Sequence, residues 1–155
     1  MDARTNNGAT ALMIASQEGH AAAVRELLAR GAAVNARAND GFTALHWASY
    51  FGHAEALREL LKRHDMAVNA QTNTGFTPLM LACWQGHLMA ATILIAAGAD
   101  LALLNNAGHS ALHHAEWRVA QDAAPPAAGA APPPTAAQRK EHAALVRLLK
   151  ERGAA

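Results

Sequence analysis

The chain has 155 residues, 52% of them hydrophobic, 5% aromatic and 16% charged, with a formal net charge of +1. That near-neutral balance excludes binding driven by bulk charge, whether to nucleic acid or to an acidic membrane surface. No apolar run approaches the roughly 18–20 residues that span a bilayer, and Cys83 as the single cysteine leaves no internal disulfide and no thiolate metal cage.

Glycines divide the chain at regular intervals. Gly8, Gly41, Gly75 and Gly108 open related segments at spacings of 33, 34 and 33 residues. A period of that length means one domain of stacked units, here about 1–39, 40–73, 74–106 and 107–155. Residues 2–7 read as the incoming half of a turn. Met1 falls where Val34 stands one unit later, so a leader or further repeats are expected ahead of it. The first unit predicts helices near 10–17 and 21–30. Leu12, Met13 and Ile14 run consecutively there, more apolar than the polar outer face an end repeat needs, so a covering surface or an upstream repeat is expected.

The second unit predicts a helix ending before Gly52 and another over about 54–63. One extra residue falls around His64-Asp65-Met66, and a distorted helix end is expected there. The third unit is the most regular. Thr77 suits an N-cap, Pro78 the first helical position, and Gly86 the left-handed residue that closes the helix. A second helix over 88–97 then stops at Gly98.

The fourth unit departs from this pattern. Its first helix starts at Ser110, but Val119 stands where glycine is expected. Residues 121–138 hold a Pro/Ala-rich insertion, Ala124-Pro125-Pro126 through Pro132-Pro133-Pro134, which prolines keep from continuing a helix or building a core. It makes this unit 21 residues longer than the first between equivalent leucines, Leu148 and Leu27. The segment reads as a mobile surface loop, with an extended docking peptide as the alternative. The last helix resumes near Arg139, and its Lys, Arg and Glu residues supply a polar outer face.

The repeated motifs resemble those of ankyrin repeats. Thr10-Ala11-Leu12-Met13, Thr43-Ala44-Leu45-His46, Thr77-Pro78-Leu79-Met80 and Ser110-Ala111-Leu112-His113 are similar to that family's Thr-Pro-Leu-His. Gly19-His20, Gly52-His53 and Gly86-His87 match its Gly-His, and Gly98-Ala99-Asp100-Leu101 resembles its repeat-closing segment. The resemblance implies an all-α repeat solenoid of helix-turn-helix units with protruding β-hairpin turns. It also implies a protein-binding module whose concave face meets an unidentified partner protein, with no cofactor.

Carried over position by position, the tip residues of that face are Asn39, Asp40 and Phe42, then Asn73, Thr74 and Phe76, then Asn106, Ala107 and His109. The helix residues are Gln17 and Glu18, Tyr50 and Phe51, Trp84 and Gln85, and Trp117 and Arg118. Large aromatics anchor interfaces because they bury much area at little entropic cost. Tyr50, Phe51, Trp84 and Trp117, with Phe42 and Phe76, are therefore the expected anchors. Phe42 and Phe76 read equally well as turn packing. Trp47 falls in a slot where the family places a core leucine.

Nine histidines invite a metal reading. The resemblance assigns five of them, His20, His46, His53, His87 and His113, to repeat positions. No His-Glu-x-x-His, Gly-x-Ser-x-Gly or phosphate-cradling glycine loop is present, so no metal site and no enzyme activity are expected. The competing readings are a structural array that self-associates through its first repeat, and a metal- or ligand-binding site of His109, His113 and His142. A monomer is expected, cytoplasmic unless a leader preceded Met1. The dominance of Ala, and of Arg over Lys, is a composition that accompanies bacterial genomes.

Overall fold

Each repeat starts its first helix at a hydroxyl. Thr10, Thr43, Thr77 and Ser110 take extended backbone angles, and their side chains accept the backbone N–H of Met13, His46, Met80 and His113. Pro78 sits at the start of its helix, where its missing donor costs nothing. The computed structural model describes residues 3–125, 128–129 and 132–153. Among these it forms α1 (Ala11–Gln17), α2 (Ala21–Ala29), α3 (Ala44–Phe51), α4 (Ala54–Leu61), α5 (Pro78–Gln85), α6 (Leu88–Ala96), α7 (Ala111–Ala123) and α8 (Ala136–Glu151).

The odd-numbered helices pack side by side in one layer and the even-numbered helices in a second, each odd–even pair closing its own repeat. Leu45, Leu57, Leu60, Leu79, Leu94, Leu145 and Leu149 are fully buried along this sandwich, the burial that holds such an array together. Alanines such as Ala48, Ala82 and Ala91, all without exposed surface, let the helices approach closely.

Successive pairs are joined by tight tips, closed by hydrogen bonds from the N–H of Ala38 to Phe42 O (2.8 Å), Thr72 to Phe76 O (2.9 Å) and Asn105 to His109 O (3.0 Å). These tips are turns rather than strand ladders; among the described residues a single isolated bridge pairs Arg4 with Thr10. Two side-chain ladders stitch them together. The amides of Asn39, Asn73 and Asn106 donate to the carbonyls of Asn6, Asn39 and Asn73 at 3.3, 2.9 and 3.0 Å. Arg4, Arg37 and Gln71 donate to the carbonyls of Arg37, Gln71 and Leu104 at 2.7, 2.8 and 3.0 Å.

The extra residue of the second repeat is absorbed in a turn. Helix α4 has 8 residues where α2 has 9. Arg63 Nε donates to Asp65 Oδ1 at 3.1 Å, and the Asn35 amide brackets the turn, donating to Asp65 O (2.6 Å) and accepting from Ala67 N (2.8 Å).

The fourth repeat differs from the sequence-based expectation. The insertion expected over 121–138 is entered from both sides by helix: α7 runs to Ala123 and α8 begins at Ala136. Helix α7 has 13 residues and α8 has 16, starting at Ala136 rather than near Arg139. Val119 supplies no left-handed cap, so α7 runs on until Ala124, whose ψ of 144° is the extended conformation that a following proline favours. Thr135 then caps α8 with a reciprocal pair: its hydroxyl accepts Gln138 N (3.2 Å) and Gln138 Oε1 accepts Thr135 N (2.8 Å). Residues 126–127 and 130–131 of the insertion, on which the mobile-loop reading partly rests, lie outside the described residues.

Candidate functional site

Stacking brings one ring after another into register. Phe42 packs on Trp47 with centroids 4.8 Å apart, and Trp47 stacks on Phe51 at 6.2 Å. Phe51 meets Tyr50 edge-on at 5.0 Å, and Tyr50 meets Trp84 of the next repeat edge-on at 6.4 Å. Trp84 lies 5.7 Å from Phe76, which lies 5.1 Å from His114. The result is an unbroken band of rings across repeats two to four. Its spacings fall within the 4.5–7 Å range of favourable aromatic pairs.

The sequence-selected residues fall at different depths. Phe51 and Trp117 are each 43% exposed. Tyr50, Trp84, Gln85, Phe42 and Phe76 are half-buried. The packing reading of Phe42 and Phe76 has a geometric counterpart, since Phe42 also lies against His46 at 5.4 Å. Asp40 is exposed and its carboxylate accepts Phe42 N at 3.0 Å, fixing the tip. Asn73 is exposed, but its amide is engaged in the ladder to Asn39. His109 is half-buried and stacks on His113 at 3.8 Å and 11°. Arg118 is half-buried, and its Nε is enclosed without a hydrogen-bond partner.

Two members of the band escape selection by sequence. Trp47 falls in a core slot of the repeat, yet it is half-buried and joins Phe42 to Phe51. His114 has no assigned repeat position, yet it carries the band into repeat four. Their equivalents, Ile14 and Leu81, are not rings and give no signal; the contacts of His114 moreover cross into the preceding repeat.

Four other histidines serve the scaffold. His46 Nδ1 meets Thr43 N (3.1 Å) and Nε2 meets Phe76 O (3.0 Å), tying α3 to the next tip. Burial holds its pKa down, at about 4. His53 and His87 reach back with Nε2 to the carbonyls of Gln17 (2.9 Å) and Tyr50 (3.0 Å) in the preceding repeat, and burial also lowers the pKa of His87. Their rings lie against Gly19 and Gly52.

His142 takes the same station in repeat four. Its ring lies against Gly86, and Nδ1 pairs with Asp122 of the α7 extension. This separates His142 from the stacked His109–His113 pair, so a site of His109, His113 and His142 is not assembled. Among the described residues no group of three His, Cys, Asp or Glu side chains gathers to hold a metal. Cys83 is free and fully buried, and desolvation raises its thiol pKa, so it is a poor nucleophile.

Two layers of paired helices, joined by glycine-turned tips and repeating every 33–34 residues, define a helical repeat solenoid. The chain belongs to the ankyrin repeat family: the family described as Ankyrin repeats (3 copies) matches residues 1–71 and, in a second register, 34–105. No curated protein matches the chain. Ankyrin repeats are in general protein–protein interaction modules, and the family is typically non-enzymatic.

Proposed function

We propose that the chain binds a partner protein through the ring band of repeats two to four and the neighbouring helix residues, with Tyr50, Phe51, Trp84 and Trp117 as anchors. The supporting observation is the continuity of that band, which opens to solvent at Phe51, while Trp117 stands exposed on repeat four. Large, partly exposed aromatics held rigidly by their neighbours suit hot-spot contacts, because little side-chain entropy remains to be lost. Gln85 and Arg118 would supply polar contacts at the rim, and Asp40, Asn73 and His109 would do so from the tips.

The test is parallel affinity capture with wild type, Trp117→Ala, Trp84→Ala and Glu18→Ala as baits, each checked by a thermal melt. Trp117 is exposed, so its truncation should weaken capture and barely move the melt. Trp84 touches Tyr50, Phe76 and His114, so its truncation should weaken capture and also cost about 1–3 kcal/mol of stability. Glu18→Ala should change neither. Undiminished capture by both tryptophan variants would refute the assignment.

A second reading has its own observation. Ile14 on α1 is 46% exposed at the open face of the first repeat, an apolar spot suited to self-association. Sedimentation of wild type against Ile14→Glu distinguishes it: a concentration-dependent dimer lost in the variant supports self-association.

A further inference from the structure

Repeat four carries two departures from its siblings that meet one another. At the head of the tip the equivalent residues are Thr5, Ala38, Thr72 and Asn105; on the first helix they are Ile14, Trp47, Leu81 and His114. Only in the fourth repeat are both polar, and there they bond: Asn105 Nδ2 lies 3.2 Å from His114 Nε2. Both residues are 7% exposed.

The direction of that bond is determined by the turn. Asn105 Oδ1 accepts the backbone N–H of Ala107 and of His109, each at 3.0 Å. The amide is therefore oriented with Nδ2 toward the imidazole. Nδ2 can only donate, so Nε2 must accept, which requires a neutral ring with its hydrogen on Nδ1. A second proton on the ring would set two donors against each other. The amide could not flip to relieve this without giving up both backbone bonds of the turn. In repeat three the same duty falls to Thr72, whose hydroxyl accepts Phe76 N at 3.1 Å and does not titrate.

We propose that His114 is a proton-sensitive latch: neutral, it holds Asn105 and the turn over 105–109 against α7, and protonated, it releases that turn and loosens the end of the ring band. The titratable groups facing it are His109 from the tip and His113 from its own helix, both in edge contact with it at 5.8 Å. Charging that stacked pair would add repulsion of the same sign. The tip of repeat three presents the ring of Phe76 to it, and α5 the ring of Trp84. On α8, Lys150 is paired with Glu116 at 2.9 Å and His142 with Asp122. Among the described residues no carboxylate is paired with His114 to offset a charge on it. Burial, with His109 and His113 beside it, lowers the pKa of His114 to about 4, in keeping with the neutral form required by the hydrogen bond. Any effect on partner binding rests on the proposed ring-band interface; release of the turn does not.

The test reads the turn itself. Amide protection factors are measured by hydrogen exchange at Ala107, Gly108 and His109 in the full chain at pH 7.5 and pH 5.0. A ring with a pKa of 6.5 when released and about 4 when latched should lower wild-type protection about thirtyfold over that interval. His114→Leu, which copies Leu81, and Asn105→Thr, which copies Thr72, should each show a change below about threefold. The second variant decides the matter if the first fails to fold. An unchanged wild type, or an equal fall in both variants, overturns the proposal. So does a fall that persists in His114→Leu but vanishes in the double substitution His109→Phe, His113→Met, which would place the switch in the stacked pair.

Discussion

Gly86→Ala should destabilise the chain more than Gly98→Ala, and the excess should depend on His142. Both glycines have positive φ, 79° and 90°. An alanine at either pays about 1–2 kcal/mol for the left-handed conformation. They differ in surroundings. A Cβ on Gly98 meets nothing within 4 Å, whereas one on Gly86 would lie 2.1 Å from His142 Nε2. That ring is 4% exposed and pinned by Asp122, so yielding costs a further 1–3 kcal/mol or so, the usual range for overpacking. Gly98→Ala should thus lose about 1–2 kcal/mol and Gly86→Ala about 2–5 kcal/mol. Removing the ring should recover the difference: in the cycle Gly86→Ala, His142→Ala and the double variant, a coupling of about 1–3 kcal/mol is expected. Urea unfolding followed by far-UV circular dichroism, with slopes checked for constancy, measures all of these. Equal losses at the two glycines, or a coupling near zero, would refute the view that the α7–α8 extension locks repeat four onto repeat three.

Other outcomes are open to the same measurements. Leu45→Ala and Leu79→Ala, 0% and 1% exposed, should each cost about 2–5 kcal/mol, and Leu112→Ala, 7% exposed and in the last repeat, should cost less; equal losses would show repeat four to be as integrated as the others. Removing residues 125–134 and leaving a short polar link should preserve the helical signal and move the melting temperature by only a few degrees; loss of helix on deletion would mean the segment is packed. Acid should weaken the fold through His46. Its folded pKa of about 4 lies below its unfolded value of 6.5, so the unfolded chain takes the proton first as pH falls. That contribution is complete above pH 6.5 and is lost between 6.5 and 4, about 2–3 kcal/mol by pH 4.5; urea titrations of wild type and His46→Gln at pH 7.5 and 4.5 check it. Cys83 should resist disulfide reagents in the folded chain and react in urea at the rate of an ordinary thiol.

Much of the architecture was legible because its signals are local. A hydroxyl cap, a run of leucine and alanine, and a left-handed glycine are read within a dozen residues, and α1 to α6 lie within two residues of where those signals place them. The fourth repeat was harder. Proline dominates the look of the insertion, but the alanines flanking it are the best helix formers, and they lengthen α7 and α8. The Thr135/Gln138 pair was a readable start signal overshadowed by those prolines. Once α8 begins early, the histidine that reaches the glycine of the preceding repeat is His142 rather than the residue at the repeat-predicted position, Glu141. The candidate site was legible as slots but not as contacts. Tyr50 and Trp84 follow from position, whereas the meeting of Tyr50 with Trp84, or of Trp84 with His114, depends on how repeats lie against each other.

The layered packing has a mechanical consequence. Among the described residues the principal helix contacts run from a helix to its partner and to its counterparts in the adjoining repeats, so tension applied along the array meets these neighbour contacts one after another. The array should yield at its ends first, one unit at a time. Each unit of about 33 residues would release roughly 110 Å of chain, and slack would let it re-form against the repeat still standing. The Asn39–Asn73–Asn106 and Arg4–Arg37–Gln71 ladders lie along the line of that load. They make the tips the teeth of a zipper, and a partner spanning the ring band of repeats two to four would act as the clip across it.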